Sequence, residues 1–326
     1  LDKMREHPAW ANREKRLNEG IGLAAGVWGC NTAPASAVVR VGSDGSVQVL
    51  VGSVDISGVN SGFVHIVAET LGVLPEQVTI TQGDTTSGPA APVSGGSMVT
   101  YSVAGALADA AGEVRQRVTK MAAEHFEASE QDIEIEEGKV FVRGVRSKAV
   151  TLAEFASRAE STRGQGGPLL AHGNSAVEIN APVASVHLVR VRVDKETGVV
   201  TPLQYVAVQD VGFALNPLMV EGQLQGGALQ GLAIGLQEQL VYDDDGHLLT
   251  PSFLDYALPR CDEAPSVEPV LVEVASPKGP FGIRGVGEPP IVPGPAALAN
   301  AVRDATGIRV KKLPIRAPEL WKKMQN

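Results

Sequence analysis

The chain has 326 residues, 44% of them hydrophobic and 20% charged, with a formal net charge of −9. That length and balance suit a soluble globular chain with one large or two medium domains, and exclude a disordered one. The acidic balance excludes nucleic acid as the main partner, and no stretch approaches the ~20 apolar residues needed to cross a bilayer.

Residues 1–20 read as a charged helical lead-in without a signal-peptide apolar segment. The chain starts at Leu1, not Met, as expected of a mature piece of something longer. Strands are predicted over 37–41 and 47–51, joined by the turn Asp44-Gly45-Ser46. Phe63, Ile66, Val67 and Leu71 have helical spacing, and Gly72 is the stop. A strand over 78–81 runs into a loop rich in Gly, Ser, Thr and Pro, and a long Ala-rich helix follows over roughly 100–126. A small hairpin over 133–142 precedes a short helix that Thr151 caps, with Glu154 three residues on.

Gly164-Gln165-Gly166-Gly167-Pro168 is the candidate boundary. Beyond it, 184–194 alternates as a strand, two strand pieces follow over 199–203 and 205–210, and a second long helix spans 221–240. Pro293-Gly294-Pro295 opens a last helix. The expected fold is α+β: two similar lobes of mixed sheet plus long Gly/Ala-rich helices, the first over 21–165 and the second over 166–326.

Cys30 and Cys261 are the only cysteines. Two thiols supply neither an iron–sulfur cluster nor a Cys-rich zinc site, and they fit a reducing, cytoplasmic compartment. Glycines at 222, 226, 227, 231 and 235 cost a helix roughly 1 kcal/mol each, so either the helix packs tightly or something approaches its backbone. Gln223 beside them offers an amide donor and acceptor suited to a polar cofactor. Ser94-Gly95-Gly96-Ser97-Met98-Val99-Thr100 places glycines and serines ahead of a helix N-terminus, a pattern that suits an anion or simple capping. In Gly285-Val286-Gly287-Glu288-Pro289-Pro290 a single carboxylate sits between glycines and two prolines, on a stiff loop that aims one acid or base. His65 and His187 read as packed or surface histidines, and Asp243-Asp244-Asp245-Gly246 as a solvated hairpin turn.

Taken together, these segments resemble the molybdenum-binding (molybdopterin) subunits of the xanthine dehydrogenase / aldehyde oxidase family, in their C-terminal portion. Asp44-Gly45-Ser46-Val47, Gly52-Ser53-Val54-Asp55-Ile56, Ala68-Glu69-Thr70-Leu71-Gly72-Val73, Gly83-Asp84-Thr85 and Ser94-Gly95-Gly96-Ser97 come in the family's order. Asp210-Val211-Gly212, Asn216-Pro217, Glu221-Gly222-Gln223, Gln230-Gly231, Asp255-Tyr256 and the Gly-Val-Gly-Glu-Pro-Pro segment continue it.

The resemblance implies that Glu288 lies beside the molybdenum as the base, with Gly287 next to it at the cofactor. It assigns Gln223 and the loop Ser94 to Thr100 to the pterin, which would hold the metal without a side-chain ligand from this chain. Arg284 and Trp28 would stand near the substrate, although Trp28 fits core packing equally. Many members carry a Gln where this chain has Gly58; either Ser57 or Asn60 takes over that cofactor contact, or it is lost. The implied function is hydroxylation of a heteroaromatic (nicotinate- or purine-like) or aldehyde substrate. The implied cofactor is molybdopterin in its cytosine dinucleotide form. Iron–sulfur clusters, with FAD as a further option, would sit on partner subunits. A second molybdenum-binding chain, or an N-terminal portion, would complete the site. The rival is a scaffold subunit that keeps the fold without active cofactor. A nicotinamide-binding dehydrogenase is excluded, because no Gly-x-Gly-x-x-Gly follows a first strand.

Overall fold

The computed structural model describes residues 1–325 apart from 83 and 162–166. The elements begin with helices α1 (Asp2–Glu6) and α2 (Pro8–Ala11) and strands β1 (Glu19–Trp28), β2 (Ala35–Val41) and β3 (Val47–Val51). Helix α3 (Val59–Leu71), strand β4 (Val78–Thr81) and helix α4 (Val99–Phe126) follow, then strands β5 (Ile133–Glu136), β6 (Lys139–Val142) and β7 (Val150–Thr151). Next come α5 (Leu152–Glu160), β8 (Leu170–Ser175), β9 (Val183–Val193), β10 (Val200–Asp210) and α6 (Pro217–Leu236). Strand β11 (Val267–Val272) and helices α7 (Gly294–Thr306) and α8 (Ala317–Met324) complete the chain.

Two compact units divide these elements, and neither is continuous in sequence. One holds residues 1–29, 182–274 and 286–326; the other holds 30–181 and 275–285. The contiguous lobes expected over 21–165 and 166–326 differ from this division. Strand β1 pairs with β9 from Glu19–Arg192 to Trp28–Val183, which ties 19–28 to the later half of the chain. Of the boundary expected at 164–168, Gly164, Gln165 and Gly166 lie outside the described residues.

In the first unit the sheet order is β1-β9-β10-β11, antiparallel except for the last, parallel pair. Strand alternation sends Val189, Val191, Val193, Tyr205 and Ala207 to one face, where Leu232, Leu298 and Leu320 from α6, α7 and α8 cover them. Val186, Leu188, Val206 and Val208 take the other face, against Met4 and Ala9. The lead-in is thus part of this core. Gly20 and Gly22 carry no side chain on β1, and the backbone of α7 at Ala297 and Ala301 occupies the space a Cβ would need. Strand β10, expected as two pieces, runs through with a register shift between Pro202 and Gln204, where proline has no N–H for the ladder.

The second unit repeats this sense of pairing: β8-β2 and β2-β3 are antiparallel and β3-β4 parallel. At the β2–β3 turn Asp44 Oδ1 accepts from the Ser46 hydroxyl (2.7 Å) and amide (2.9 Å), which holds its carboxyl below the usual range. Helix α3 stops at Gly72 with φ 74°, as its sequence implies. Helix α4 lies across β2 and β8, and Gly173 on β8 admits its backbone at Ala106 and Ala110. The small sheet β5-β6-β7 leads to α5, whose N-terminus carries the Thr151–Glu154 capping box. The α+β class with two similar lobes holds, each built from one four-stranded mixed sheet and long helices.

Candidate active site

Helix α6 starts four residues earlier than its apolar pattern suggests, because Asn216 caps it and Pro217 pre-forms its first turn. Asn216 Oδ1 accepts from Met219 N at 3.3 Å. The helix also ends at Leu236, short of the expected 240. Its glycines then divide between two faces. Added Cβ atoms at Gly227, Gly231 and Gly235 would lie 2.8 Å from Pro290, 2.5 Å from Ile291 O and 2.5 Å from Leu298. At Gly222 and Gly226 an added Cβ would meet nothing within 4 Å. One set exists for packing and the other leaves bare backbone, with half-buried Gln223 next to it.

The packed set presses on the turn that carries the carboxylate. Glu288 is half-buried and stands as N-cap of a single 3-10 turn, Pro289–Ile291. Pro289 and Pro290 are buried, and the Ile291 amide donates back to Glu288 O at 3.0 Å. The Ser185 hydroxyl donates to Pro289 O at 3.2 Å from the sheet below. Val286 packs beside Val211, Ala214 and Leu224. Glu288, Gly287 and Gln223 therefore belong to one unit, with the acid on a turn held from two sides.

The predicted loop residues belong to the other unit. Ser94, Gly95, Gly96, Ser97 and Met98 form two tight bends, with Gly96 at φ 68° and Ser97 at φ 57°, before α4 begins at Val99 and Thr100. Asn31 N donates to Gly96 O at 2.9 Å, and Gly285 packs on the Ser97 backbone. The α4 N-terminus has no side-chain cap, and an added Cβ at Gly95 would meet nothing. Arg284 is half-buried in the same unit.

Gly58 caps α3 at φ 73°, a left-handed conformation strained for a residue with a Cβ. Its missing side chain thus has a backbone reason. Asn60 is half-buried, and its amide faces Asp55 Oδ1 at 3.5 Å. Trp28 ends β1 half-buried, so core packing does not enclose it fully. His65 is exposed. The 243–246 turn is a hairpin closed by a Tyr242–Leu248 bridge.

Sequence reasoning passed over Ser185, Tyr205 and Gln209. These are buried together with His187, which was expected to be packed or at the surface. The signal available was two polar residues at inward-facing positions of otherwise apolar strands. His187 Nδ1 pairs with the Tyr205 hydroxyl at 2.8 Å, and burial pushes the imidazole pKa down to about 3, leaving it neutral. Burial pushes the Tyr205 phenol up.

The profile of the molybdopterin cofactor-binding domain family matches residues 1–265. This chain belongs to that family. It is 31% identical to the nicotine 6-hydroxylase large subunit of Paenarthrobacter nicotinovorans, over 94% of this chain and 40% of that protein. It is 32% identical to a putative xanthine dehydrogenase molybdenum-binding subunit of Escherichia coli strain K12, over 95% of this chain and 42% of that one. Among solved structures it resembles quinoline 2-oxidoreductase from Pseudomonas putida 86, with a TM-score of 0.84 and 29% identity. That match covers 94% of this chain and 42% of the other. The chain thus spans about two fifths of the length of these relatives.

A molybdopterin fits the residues present. The family's cofactor is a large polar ligand, and the bare backbone at Gly222 and Gly226 beside Gln223 is what close approach of such a ligand requires. The one group of three or more His, Cys, Asp or Glu side chains near enough to share a metal, among the described residues, is Asp243, Asp245 and His247, on the hairpin turn. No helix among the described residues is long and apolar enough to cross a membrane.

Proposed function

We propose that this chain forms the cofactor-binding, proton-handling part of a molybdenum hydroxylase acting on an N-heteroaromatic substrate. The observation that carries this reading is Glu288, a half-buried residue at the N-cap position of a two-proline turn that Ser185 and the α6 glycines hold in place. Gln223 and the open glycine face of α6 are assigned to the pterin. So is the loop Ser94 to Thr100, with Asn60 in the role that Gly58 cannot fill. Arg284 and Trp28 would border the substrate. When bound, the molybdenum cofactor supplies the two-electron redox chemistry.

Glu288 accepts the proton that water gives up as its oxygen is delivered to the substrate carbon. The stiff turn keeps its carboxylate oriented, which lowers the entropic part of the barrier. Relatives named for nicotine, xanthine and quinoline all act on nitrogen heterocycles, which favours that substrate class over aldehydes. The cytosine dinucleotide form of the pterin belongs to this proposal. So do an iron–sulfur subunit, a flavin subunit, a second molybdenum-binding segment, and a cytoplasmic setting.

In the assembled complex, Glu288→Gln is expected to lower turnover by at least 10³-fold while molybdenum and pterin content stay near wild type. Retained turnover would sink the role of Glu288. Absence of molybdenum from the wild-type complex would sink the cofactor assignment.

A further inference from the structure

Under the Glu288 turn, the sheet of the first unit carries a polar seam where its pattern calls for apolar side chains. Ser185 and Gln209 are register partners on β9 and β10, and His187 and Tyr205 lie on the same face one and two alternations further along. Their exposures are 1%, 0%, 0% and 0%. On the neighbouring strand β1, small residues face them: Gly26 opposite Ser185 and Ala24 opposite His187.

The course of the loop over this seam follows from its two ends. Val286 packs against the cluster of Val211, Ala214 and Leu224, and Val211 lies two residues beyond Gln209 on the chain. Pro289 O accepts from Ser185. Gly287 and Glu288 therefore link Val286, against the Val211 cluster, to Pro289, which is bonded to Ser185 beside Gln209. Just past the turn, the Tyr205 hydroxyl lies 3.0 Å from where a Cβ on Gly294 would be, at the start of α7. Ser185 is thus bonded to the turn, and the His187–Tyr205 pair underlies the helix that follows.

Both amide atoms of Gln209, and His187 Nε2, have no partner among the described residues. An unpaired buried amide is costly, and such groups are rare in native cores without a task. A methionine or leucine would fill the same volume at no such cost.

We infer that Ser185 and Gln209, backed by the neutral His187–Tyr205 pair, are positioning residues that hold the 287–291 turn and so aim the Glu288 carboxylate. The inference rests on Glu288 being the base. The seam acts through backbone, by Ser185 on Pro289 O. Gln209 is the register partner of Ser185 and keeps a buried amide beside it.

The test uses Ser185→Ala, Gln209→Met and Ser185→Thr in the assembled complex, with two kinds of readout. Hydrogen exchange of the Ile291 and Val292 amides, both bonded back into the turn, reports its rigidity without reference to turnover. In the first two variants, exchange at 286–292 is expected to speed up about tenfold while the 298–302 segment of α7 is unchanged. Turnover number should fall about tenfold with KM within about twofold, and Ser185→Thr, which keeps the hydroxyl, should recover most of it. Unchanged exchange at 286–292 would overturn the inference. So would loosening spread through the whole unit, or loss of turnover that Ser185→Thr does not relieve. Retained turnover in Glu288→Gln would overturn the base assignment, whereas unchanged exchange at 286–292 would overturn the holding of the turn, so the two failures are read separately.

Discussion

Replacing Gly231 by alanine separates packing from propensity on α6. In an ordinary helix the change stabilises by about 1 kcal/mol, because alanine loses less backbone entropy. Here the new Cβ would lie 2.5 Å from Ile291 O and 3.3 Å from Gly294 Cα. The first distance is about 1 Å inside ordinary contact, and the opposing atoms are backbone with no rotamer to change. Overpacking of this kind costs about 1–3 kcal/mol, so the net expectation is a loss of up to about 2 kcal/mol, or up to roughly 8 °C in melting temperature for a unit of this size. The displaced residue is Ile291, whose amide bonds to Glu288 O, so the carboxylate moves with it. A misplacement approaching 1 Å lowers turnover by up to about 10²-fold. The control is Gly112→Ala within α4, where an added Cβ would meet nothing within 4 Å, expected to raise the melting temperature by about 2–4 °C. Thermal melts of both variants, with molybdenum content and turnover measured in parallel, decide the matter. A Gly231→Ala protein that melts at or above wild type would refute the reasoning.

Two further outcomes follow from buried and capping groups. Burial holds His187 near pKa 3 in the folded chain, against 6.5 when exposed. The unfolded chain therefore takes up a proton below about pH 6.5 that the folded chain refuses, so stability present above that pH is lost as pH falls towards 3. His187→Gln should flatten the fall in melting temperature between pH 7 and pH 4.5, and an unchanged slope would count against a buried neutral imidazole. Thr151→Ala removes the acceptor for Glu154 N, now at 3.2 Å, and should cost about 1 kcal/mol. Faster hydrogen exchange confined to α5, with turnover unaltered, is the expected result.

Much of the local structure was legible because its signals are local. Gly72 ends α3, Thr151 and Glu154 start α5, and Asp44-Gly45-Ser46 turns β2 into β3, each through bonds within a few residues. Strand β1 was not legible. Its sequence, Glu-Gly-Ile-Gly-Leu-Ala-Ala-Gly-Val-Trp, has weak strand propensity, and it is a strand because β9 pairs with it and α7 needs the room its glycines leave. Ser185 and Gln209 were invisible as a pair because 24 residues and a register shift separate them in the chain.

By itself, the sequence determined the α+β class, most helix boundaries and the stiffness of the Glu288 loop, since capping, turn chemistry and proline geometry act over a few bonds. Tertiary structure alone decided that the units are discontinuous, that the lead-in completes a core, and that the α6 glycines serve two opposite faces. It also decided that a buried polar seam underlies Glu288. Those facts depend on which backbone approaches which, and close approach between residues tens to hundreds of positions apart leaves no periodic trace in the chain.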